Sequence, residues 1–485
     1  MTLLDSTAWS GKILLGGWTD GGAGRSDVVE PATGDVLGAI GLANESDVAR
    51  AAALAARAQR DWAARPGSER AAVMRRAGDI WQREAHAIQE WIVREAGSIG
   101  AKAAVETTAA AGICHQAAAL THLPQGDVLA SDEPHWSFAR RRPLGVVTVI
   151  APFNFPLILA IRSVAPALAL GNAVLLKPDP RTAVSGGVAI ARVFEEAGLP
   201  DGLLHVLPGG ADVGAAAVTA PEVSAVSFTG STAAGREVGA LASRHLKRVY
   251  LELGGNNAIV VLPGADPVAA SSAGAFGSFF HQGQICMATG RHLVHRSVAE
   301  VYTDALAQRA ERLPVGDPFR EQVAIGPIID GRQLKRIDAL VRRAGDAGAR
   351  VVAGGRTHGP AYAPTVLSDL DASNPAWTEE IFGPVAPIRV FDDLDDAERI
   401  IRESPYGLSV GILGDVGLAM QLADRIPSGK VHINEQTVAD EPNAPFGGVG
   451  DSGNGARFGG SAVNLDAFTE LQWLTVRPDI APYPF

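Results

Sequence analysis

The stretch GVVTVIAPFNFPLILAIRSVAPALALGNAVLLKPDP, residues 145–180, decides the fold class of this chain. Two continuous apolar runs rich in β-branched residues, GVVTVI and NAVLLK, flank an apolar segment of helical length. Uninterrupted runs of this kind are typical of parallel strands that helices cover on both faces. Arg162, Pro166 and the break at Gly171 disfavour a membrane-spanning helix over residues 155–176. We therefore predict a strand, a buried helix and a second strand.

The same alternation of strand-like and helix-like segments continues downstream. The runs GLLHVLPG, SAVSFTG, RVYLELGG and NAIVVLPG follow one another and predict a doubly wound, parallel-sheet α/β domain that ends near residue 254. After Asn257 the runs VVAGG, YAPTVL, VAPIRVF, LSVGILG and KVHINE predict a second α/β unit. This second unit contains Cys286.

The upstream part of the chain has a helical pattern. Residues 45–119 are rich in alanine, and ESDVARAAALAARAQRDWAA has the spacing of an amphipathic helix that Asn44 or Ser46 would cap. The alternating segment HWSFARRRPLG, residues 135–145, predicts an exposed strand or hairpin arm.

Composition and charge limit the classes of function. The chain has 485 residues, 47% of them hydrophobic and 20% charged, and a formal net charge of −11. This charge disfavours nucleic acid and anionic membranes as partners. The two cysteines cannot form a disulfide framework and suit a reducing compartment. Residues 1–17 lack a basic leader and an adequate apolar core, so we expect no secretory signal and a cytoplasmic location. No His/Cys/Asp cluster has the spacing of metal ligands, so we expect no metal.

Cys286 lies in FFHQGQICMATGR, between a Gly-Gln turn and a Gly-Arg pair. A lone cysteine in an apolar run is usually a small buried side chain. As a nucleophile it would require a base and an oxyanion donor elsewhere in the chain. Cys114 is adjacent to His115, but neighbouring residues of a helix point in different directions, which favours a packing role.

Two other residues could complete such a site. Glu252 interrupts an apolar strand before two glycines, and a carboxyl buried there would have the raised pKa of a general base unless an arginine pairs with it. Asn154 follows the first strand, where its amide could donate to an oxyanion or cap the next helix. Ile158 and Arg162 would share the helical face of Asn154, so Arg162 either approaches the substrate side or pairs with an acid.

Further motifs suggest a phosphate-bearing ligand. In SFTGSTAAGREVG the segment from Gly230 opens a helix after a strand, where amides can bind phosphate; a ligand-free turn is as plausible from this motif alone. Lys177 ends a neighbouring strand and would face the same crevice, unless it is simply solvated. EEIFGPV places a carboxylate and a ring beside a Gly-Pro turn, and Phe446 in a glycine-dense loop could line a cleft.

Taken in order, the segments PFNFP, LLKP, FTGSTAAG, LELGG, GQIC, EEIFGP and PFGG resemble the motifs of the aldehyde dehydrogenase superfamily. The resemblance runs from about residue 10 to the C-terminus. KPDPRTAVSGG, FFHQGQICM and HINEQTVADEPNAPFGGVGDSGNGARFGG are most similar to the benzaldehyde and vanillin dehydrogenase branch.

The resemblance implies oxidation of an aldehyde to its carboxylic acid with NAD or NADP, through a cysteine thiohemiacetal and a thioester. The branch implies an aromatic aldehyde. The implied roles are a nucleophile (Cys286), a general base (Glu252), an oxyanion donor (Asn154), an adenine-ribose ligand (Lys177), a pyrophosphate site (Gly230 and Ser231), a nicotinamide-ribose ligand (Glu380), a ring beside it (Phe382) and rings that line the substrate tunnel (Phe155 and Phe446).

Three departures from the family pattern bear on specificity. NAD-preferring members usually carry a glutamate where this chain has Pro180, so NADP is also permitted, and Arg181 could attract its 2′-phosphate. His281 replaces an asparagine and could mark the tunnel of this branch. Phe153 replaces a tryptophan, an exchange of rings with a mild expected effect on the substrate side.

The resemblance also implies a domain layout. Residues 1–120 and 143–254 would bind the cofactor, residues 255–464 would form the catalytic domain, and residues 121–142 and 465–485 would form a small β oligomerisation arm. Strands from HWSFARRR and TELQWLTV would pair across subunits of a homodimer or homotetramer.

Other functions stay open at this point. Arg162 could recruit a semialdehyde, and an aliphatic aldehyde is also possible. A coenzyme A-acylating aldehyde dehydrogenase needs no base such as Glu252, whose presence disfavours that branch. A cofactor-independent cysteine hydrolase would pair Cys286 with His281 or His295 but would not explain Lys177. A family member without turnover is disfavoured by the presence of every catalytic residue type.

Overall fold

The computed structural model describes residues 3–485; residues 1 and 2, the first of the predicted cofactor domain, lie outside the described part. Two seven-stranded sheets dominate the architecture, with one three-stranded sheet and three two-stranded ribbons. The chain leaves the first large sheet at Glu252 and enters the second at Asn257. The α/β class with two sheet-based units is therefore the one that the sequence predicts.

The first large sheet forms around the strands of the opening motif. Its order is Arg248–Glu252, Val223–Thr229, Val146–Ile150, Ala173–Lys177, Leu204–Val206, Lys12–Leu14 and Trp18–Asp20. The first five strands are parallel, as predicted. The last two pair antiparallel at the edge. The sheet is thus mixed and not wholly parallel, an edge arrangement that is common on parallel sheets.

Helices cover both faces of this sheet. They are Glu45–Ala64, Gly67–Arg83, Ala85–Ala96, Gly100–Leu120, Pro156–Ala169, Ala189–Glu196, Ala211–Thr219 and Thr232–Arg244. The first has the predicted bounds and begins with a capping box, in which Asn44 accepts from the Asp47 amide at 3.0 Å and Asp47 accepts from the Asn44 amide at 3.1 Å. Asn44, and not Ser46, is therefore the cap.

The helix of the opening motif begins at Pro156, where a missing amide hydrogen is harmless. The Glu106 carboxylate accepts from the amides of Leu157 and Ile158 at 3.0 and 3.1 Å. Among residues 3–485, no helix is long and apolar enough to cross a bilayer. Cys114 packs with no exposure in the helix Gly100–Leu120, the position predicted for it.

Glu106 also forms an ion pair with Lys102, and both side chains have 0% exposure. Replacing Glu106 with alanine leaves a buried ammonium unpaired, so we expect the free energy of unfolding to fall by about 3–5 kcal/mol. Denaturant unfolding of the two proteins measures this difference. The exposed pair of Arg65 and Glu69 provides a control, because Glu69→Ala should change stability by no more than about 1 kcal/mol. Equal effects of the two substitutions would contradict the prediction.

The second large sheet has the order Arg350–Ala353, Thr365–Ser368, Val385–Phe391, Thr289–His295, Asn257–Val261, Ser409–Leu413 and Lys430–Ile433. All neighbours are parallel except the first pair. Its helices are Pro267–Phe279, Ala299–Arg312, Gly331–Asp346, Pro375–Thr378, Leu394–Arg402 and Val416–Ala423. A separate apolar cluster fills each face of this sheet.

The third sheet is antiparallel, with the order Thr469–Val476, Trp136–Pro143 and Gly126–Leu129. It projects exposed rings, Trp136 at 67% and Trp473 at 71% exposure. The remaining elements are the short helices Ser6–Trp9, Pro180–Thr182, Val184–Val188, Phe280–Gly283 and Ser461–Phe468 and the ribbons of Arg25–Val29 with Val36–Gly41, Thr357–His358 with Ala361–Tyr362, and Tyr406–Gly407 with Val449–Gly450.

Candidate active site

Two cavities are lined by residues from both sheet-based units and share part of their lining. We name the first the aromatic cavity, because its lining includes the rings Phe155, Phe280, Phe446 and Phe458. We name the second the glycine cavity, because its lining includes Gly230 and Gly254 together with Glu380. Asn154, Leu159 and Cys286 line both cavities. A molecule in either cavity can therefore reach the Cys286 thiol.

The Cys286 loop is held by the segment that joins the two sheets. The Asn257 side chain donates to the carbonyls of Cys286 and Ala288, each at 2.8 Å. A Cβ on Gly255 would lie 2.5 Å from the Cys286 carbonyl, so only glycine permits this approach. Cys286 is partly exposed, and burial raises the pKa of its thiol to about 11, against the charges of Arg162 and Lys430.

Glu252 is the C-terminal residue of the strand Arg248–Glu252 in the first large sheet, and it is 1% exposed. Neither carboxyl oxygen has a hydrogen-bond partner among the described residues. Burial raises the pKa of Glu252 to about 8, opposed by the charges of Arg162, Arg457 and Lys430. Glu252 lines neither cavity in the described chain. Because no hydrogen bond restrains its carboxyl, a side-chain rotation toward Cys286 would break none.

Asn154 follows the strand Val146–Ile150 and lies buried beside the thiol loop. Its Nδ2 donates to the Gln284 carbonyl at 2.8 Å, which fixes the amide next to Cys286. The helix N-cap is Phe155 and not Asn154, so the capping alternative is wrong. Ile158 and Arg162 line the aromatic cavity with Asn154, the shared helical face that the sequence predicts.

The glycine cavity contains the residues expected to bind the cofactor's phosphate and nicotinamide ends. Ser231 caps the helix Thr232–Arg244 by accepting from the Ala234 amide at 3.3 Å, whereas the Gly230 amide donates to the Glu252 carbonyl at 3.0 Å. Glu380 accepts from the Gly255 amide at 3.0 Å, and burial raises its pKa to about 7. A Cβ on Gly254 would lie 2.4 Å from Glu380, so the glycine creates space for this carboxyl.

Phe153 and Phe382 meet edge to face in the same cavity, with ring centroids 5.9 Å apart. Phe153 therefore lines the glycine cavity and not the aromatic cavity, and its role as a substrate-side ring stays a prediction. Phe382 lines the glycine cavity together with Glu380. A dinucleotide fits the donor and acceptor groups here: a carboxylate beside two glycines, the start of a helix and a pair of rings.

The residues predicted to bind the adenosine end of the cofactor are Lys177, Pro180 and Arg181. Lys177 lies against Gly214 and lines neither cavity among the described residues. Pro180 opens the short helix Pro180–Thr182. Arg181 pairs with Asp179 at 2.7 Å and with Asp330 at 2.6 Å. Because two carboxylates already neutralise this guanidinium, a 2′-phosphate would have to compete with them.

In the aromatic cavity, the charged side chain of Arg162 lies next to an aromatic ring, Phe446. The Arg162 guanidinium lies over the Phe446 ring at 4.4 Å, and its Nη2 donates to Thr229 at 3.4 Å. Its Nη1 is buried without a partner among the described residues. Phe155 and Phe446 line this cavity, where the sequence predicts the substrate tunnel.

His281 packs behind Phe155, with ring centroids 5.4 Å apart, and lines neither cavity in the described chain. Its role as a tunnel residue stays a prediction. Burial lowers its pKa well below the ordinary value. His295 lies at the far end of the strand Thr289–His295 and hydrogen-bonds Ser297. Neither histidine hydrogen-bonds Cys286 among residues 3–485, which disfavours the cysteine hydrolase.

The sequence analysis missed Lys430 and Asp440. Lys430 opens the strand Lys430–Ile433, and its ammonium lies 4.3 Å from the centroid of the Phe446 ring. Among the described residues, this ammonium forms no hydrogen bond or ion pair with Glu252 or Cys286. Asp440 lines the aromatic cavity. The signal available in the sequence was the lysine at the start of the predicted strand KVHINE. No cluster of three or more potential metal ligands occurs in the described part of the chain.

Comparisons with known proteins agree with this geometry. The model of the aldehyde dehydrogenase family matches residues 18–474, and the chain belongs to this family. It is 60% identical to a vanillin dehydrogenase of Amycolatopsis sp. over 100% of both chains and 49% identical to a benzaldehyde dehydrogenase [NAD(+)] of Pseudomonas putida over 98% of both. The crystal structure of a salicylaldehyde dehydrogenase from Pseudomonas putida G7, complexed with salicylaldehyde, superimposes with a TM-score of 0.93 at 34% identity and covers 98% of this chain and 99% of that one. The predicted family, branch resemblance and fold class are confirmed.

Proposed function

We propose that this enzyme oxidises an aromatic aldehyde to the carboxylic acid with NAD as the hydride acceptor. The observation that carries the proposal is the junction of the two cavities at Cys286 and Asn154, with rings on one side and Glu380 on the other. A flat apolar aldehyde suits the ring-lined side. The vanillin, benzaldehyde and salicylaldehyde dehydrogenases to which the chain is similar support the aromatic class.

Carbon–sulfur bond formation opens the proposed mechanism. The Cys286 thiolate attacks the aldehyde carbon, and the carbonyl oxygen becomes an oxyanion. The free N–H of the Asn154 side chain and the Cys286 amide would donate to it, each donor lowering the barrier by about 3 kcal/mol. The hydrogen bond from Asn154 to the Gln284 carbonyl supports this role because it orients the amide before substrate binds.

Glu380, Phe382 and Phe153 would hold the nicotinamide end of the cofactor, Gly230 and Ser231 its pyrophosphate, and Lys177 its adenine ribose. When bound, the cofactor supplies the acceptor for the hydride that leaves the thiohemiacetal carbon. The NAD(+) specificity in the name of the Pseudomonas putida relative supports NAD over NADP. The two carboxylates on Arg181 support the same choice, since they oppose a 2′-phosphate.

Hydrolysis of the thioester on Cys286 completes the proposed reaction. Glu252 would take a proton from water as the water oxygen attacks the acyl carbon, and the thiolate would leave. A carboxyl with a pKa near 8 is well matched to this task at neutral to mildly alkaline pH.

Steady-state formation of reduced nicotinamide tests the proposed function. We expect kcat/KM for benzaldehyde to exceed that for hexanal and succinic semialdehyde by at least about tenfold, since the aromatic ring gains contacts that the others lack. We expect NAD to exceed NADP, and no coenzyme A should be required. A preference for succinic semialdehyde would contradict the aromatic class and point to the unpartnered Nη1 of Arg162. No turnover of any aldehyde would contradict the reaction itself.

We also propose the three-part organisation predicted from the sequence, with residues 1–120 and 143–254, residues 255–464, and residues 121–142 with 465–485 as its parts. The exposed rings and the one-sided pairing of the strand Thr469–Val476 support an oligomerisation role for the last part. A homodimer or homotetramer in the cytoplasm is the assembly that we propose. The two free cysteines support the reducing compartment.

A further inference from the structure

Two cations lie close to one aromatic ring in the candidate active site. The Arg162 guanidinium lies 4.4 Å from the Phe446 ring centroid, and the Lys430 ammonium lies 4.3 Å from it. Arg162 comes from the helix Pro156–Ala169 of the first unit and Lys430 from the strand Lys430–Ile433 of the second. Like charges held this close repel each other, so the arrangement is costly unless negative charge forms nearby.

Lys430 has no carboxylate partner to balance this repulsion. Its ammonium donates to the Ala439 carbonyl at 3.0 Å and to the sulfur of Met287, and it forms no ion pair among residues 3–485. Met287 is the residue after the proposed nucleophile, and its own carbonyl accepts from the Thr437 hydroxyl at 2.7 Å. Lys430 therefore contacts the residue next to Cys286 and a ring that lines the aromatic cavity together with Cys286.

We propose that Lys430 is a positioning residue that stabilises the thiolate of Cys286 from its place beside Met287 and Phe446, together with Arg162 over the same ring. This inference rests on Cys286 as the nucleophile of the proposed function. It assigns a purpose to a lysine that would otherwise be an unbalanced charge in a partly buried position.

The charged groups around the thiol support this assignment. Arg162 and Lys430 lower the pKa of Cys286 against the larger effect of burial, whereas Glu380 and Glu252 raise it. Asp440, which faces Lys430 from the loop after the strand, itself has a pKa raised by burial and therefore neutralises Lys430 less than an exposed aspartate would. Lys430 and Arg162 are thus the two cations that act on the thiol.

The test is the rate at which iodoacetamide alkylates Cys286 in the full-length protein without aldehyde or cofactor. Mass spectrometry of the Cys286 peptide gives the rate constant from about pH 6 to pH 10, a range that lies below the thiol pKa of about 11, so that a change in this pKa is read as a change in rate. We expect Lys430→Met to raise the thiol pKa by about one unit. At a fixed pH below the midpoint this lowers the rate about threefold, because the tenfold loss of thiolate is partly offset by its greater nucleophilicity. Lys430→Arg should retain the wild-type profile.

The controls separate charge from packing. Lys247→Met removes a lysine distant from the thiol, whose Nζ contacts the Ala220 carbonyl, and should leave the profile unchanged. Lys430→Gln keeps a donor for the Ala439 carbonyl and gives the same test if the methionine variant fails to fold. An unchanged profile in a folded Met or Gln variant would overturn the proposal, and so would an Arg variant that shifts as far as they do. Because no aldehyde is present, the outcome is independent of the substrate class and of turnover.

Discussion

Replacing Cys286 with serine is expected to abolish aldehyde oxidation, with kcat/KM falling by at least about 10⁴-fold. The serine hydroxyl is a poor nucleophile at neutral pH, and neither His281 nor His295 is placed to activate it. His281 is buried behind Phe155, and His295 lies at the far end of its strand. Formation of reduced nicotinamide from benzaldehyde and NAD is the measurement.

The matched control is Cys114→Ser, which changes the other cysteine. Cys114 is fully buried in the helix Gly100–Leu120 and lines neither cavity among the described residues. We expect this variant to retain the catalytic rate, although its stability can fall because a polar hydroxyl replaces a buried thiol. Turnover by Cys286→Ser at a rate within tenfold of wild type would exclude the covalent mechanism.

The second large effect is expected for Glu252→Gln, which should lower steady-state kcat by about 10²–10⁴-fold. Glutamine has the size of glutamate but cannot accept a proton from water. The first turnover should survive, because thiolate attack and hydride departure do not require this base. Stopped-flow mixing should therefore show a burst of reduced nicotinamide, close to one per active site, followed by almost no steady-state rate.

The pH dependence of the wild-type enzyme tests the same assignment. Burial raises the pKa of Glu252 to about 8, so the carboxyl is protonated and inactive as a base below this pH. The rate of thioester hydrolysis should rise as pH increases through about 8 and then level off, and Glu252→Gln should remove this rise. Glu300→Gln, at an exposed helical position, is the control and should keep the wild-type profile. A variant that loses the burst as well would assign Glu252 to thiol activation instead of hydrolysis.

Local sequence was sufficient for the elements that build the site. The alternation in residues 145–180 predicted the strand–helix–strand unit, and helical spacing placed Arg162 on the face of Asn154. These predictions succeed because hydrophobic periodicity is determined within a single element. The edge strands Lys12–Leu14 and Trp18–Asp20 were not predicted, since each has only three residues and the hairpin that they form joins the sheet through Leu14 and the distant Val206.

The parts of the site that local sequence could not place involve contacts between distant residues. Phe153 and Phe155 are two positions apart, yet they line different cavities, and Phe153 packs against Phe382 whereas Phe155 packs against His281. The sequence allowed Arg181 to attract a 2′-phosphate, but Asp330, far along the chain, pairs with it. Such pairings require the tertiary structure, because no spacing in the sequence encodes them.

The junction of the two cavities has a consequence for inhibition. Asn154, Leu159 and Cys286 line both cavities, so an aryl group in one and a nicotinamide mimic in the other would each lie within reach of the same thiol. A single compound that joins the two fragments would bind the second one at a high effective concentration once the first is bound. Because both cavities share Cys286, a bivalent, thiol-directed ligand is the design that follows for this enzyme.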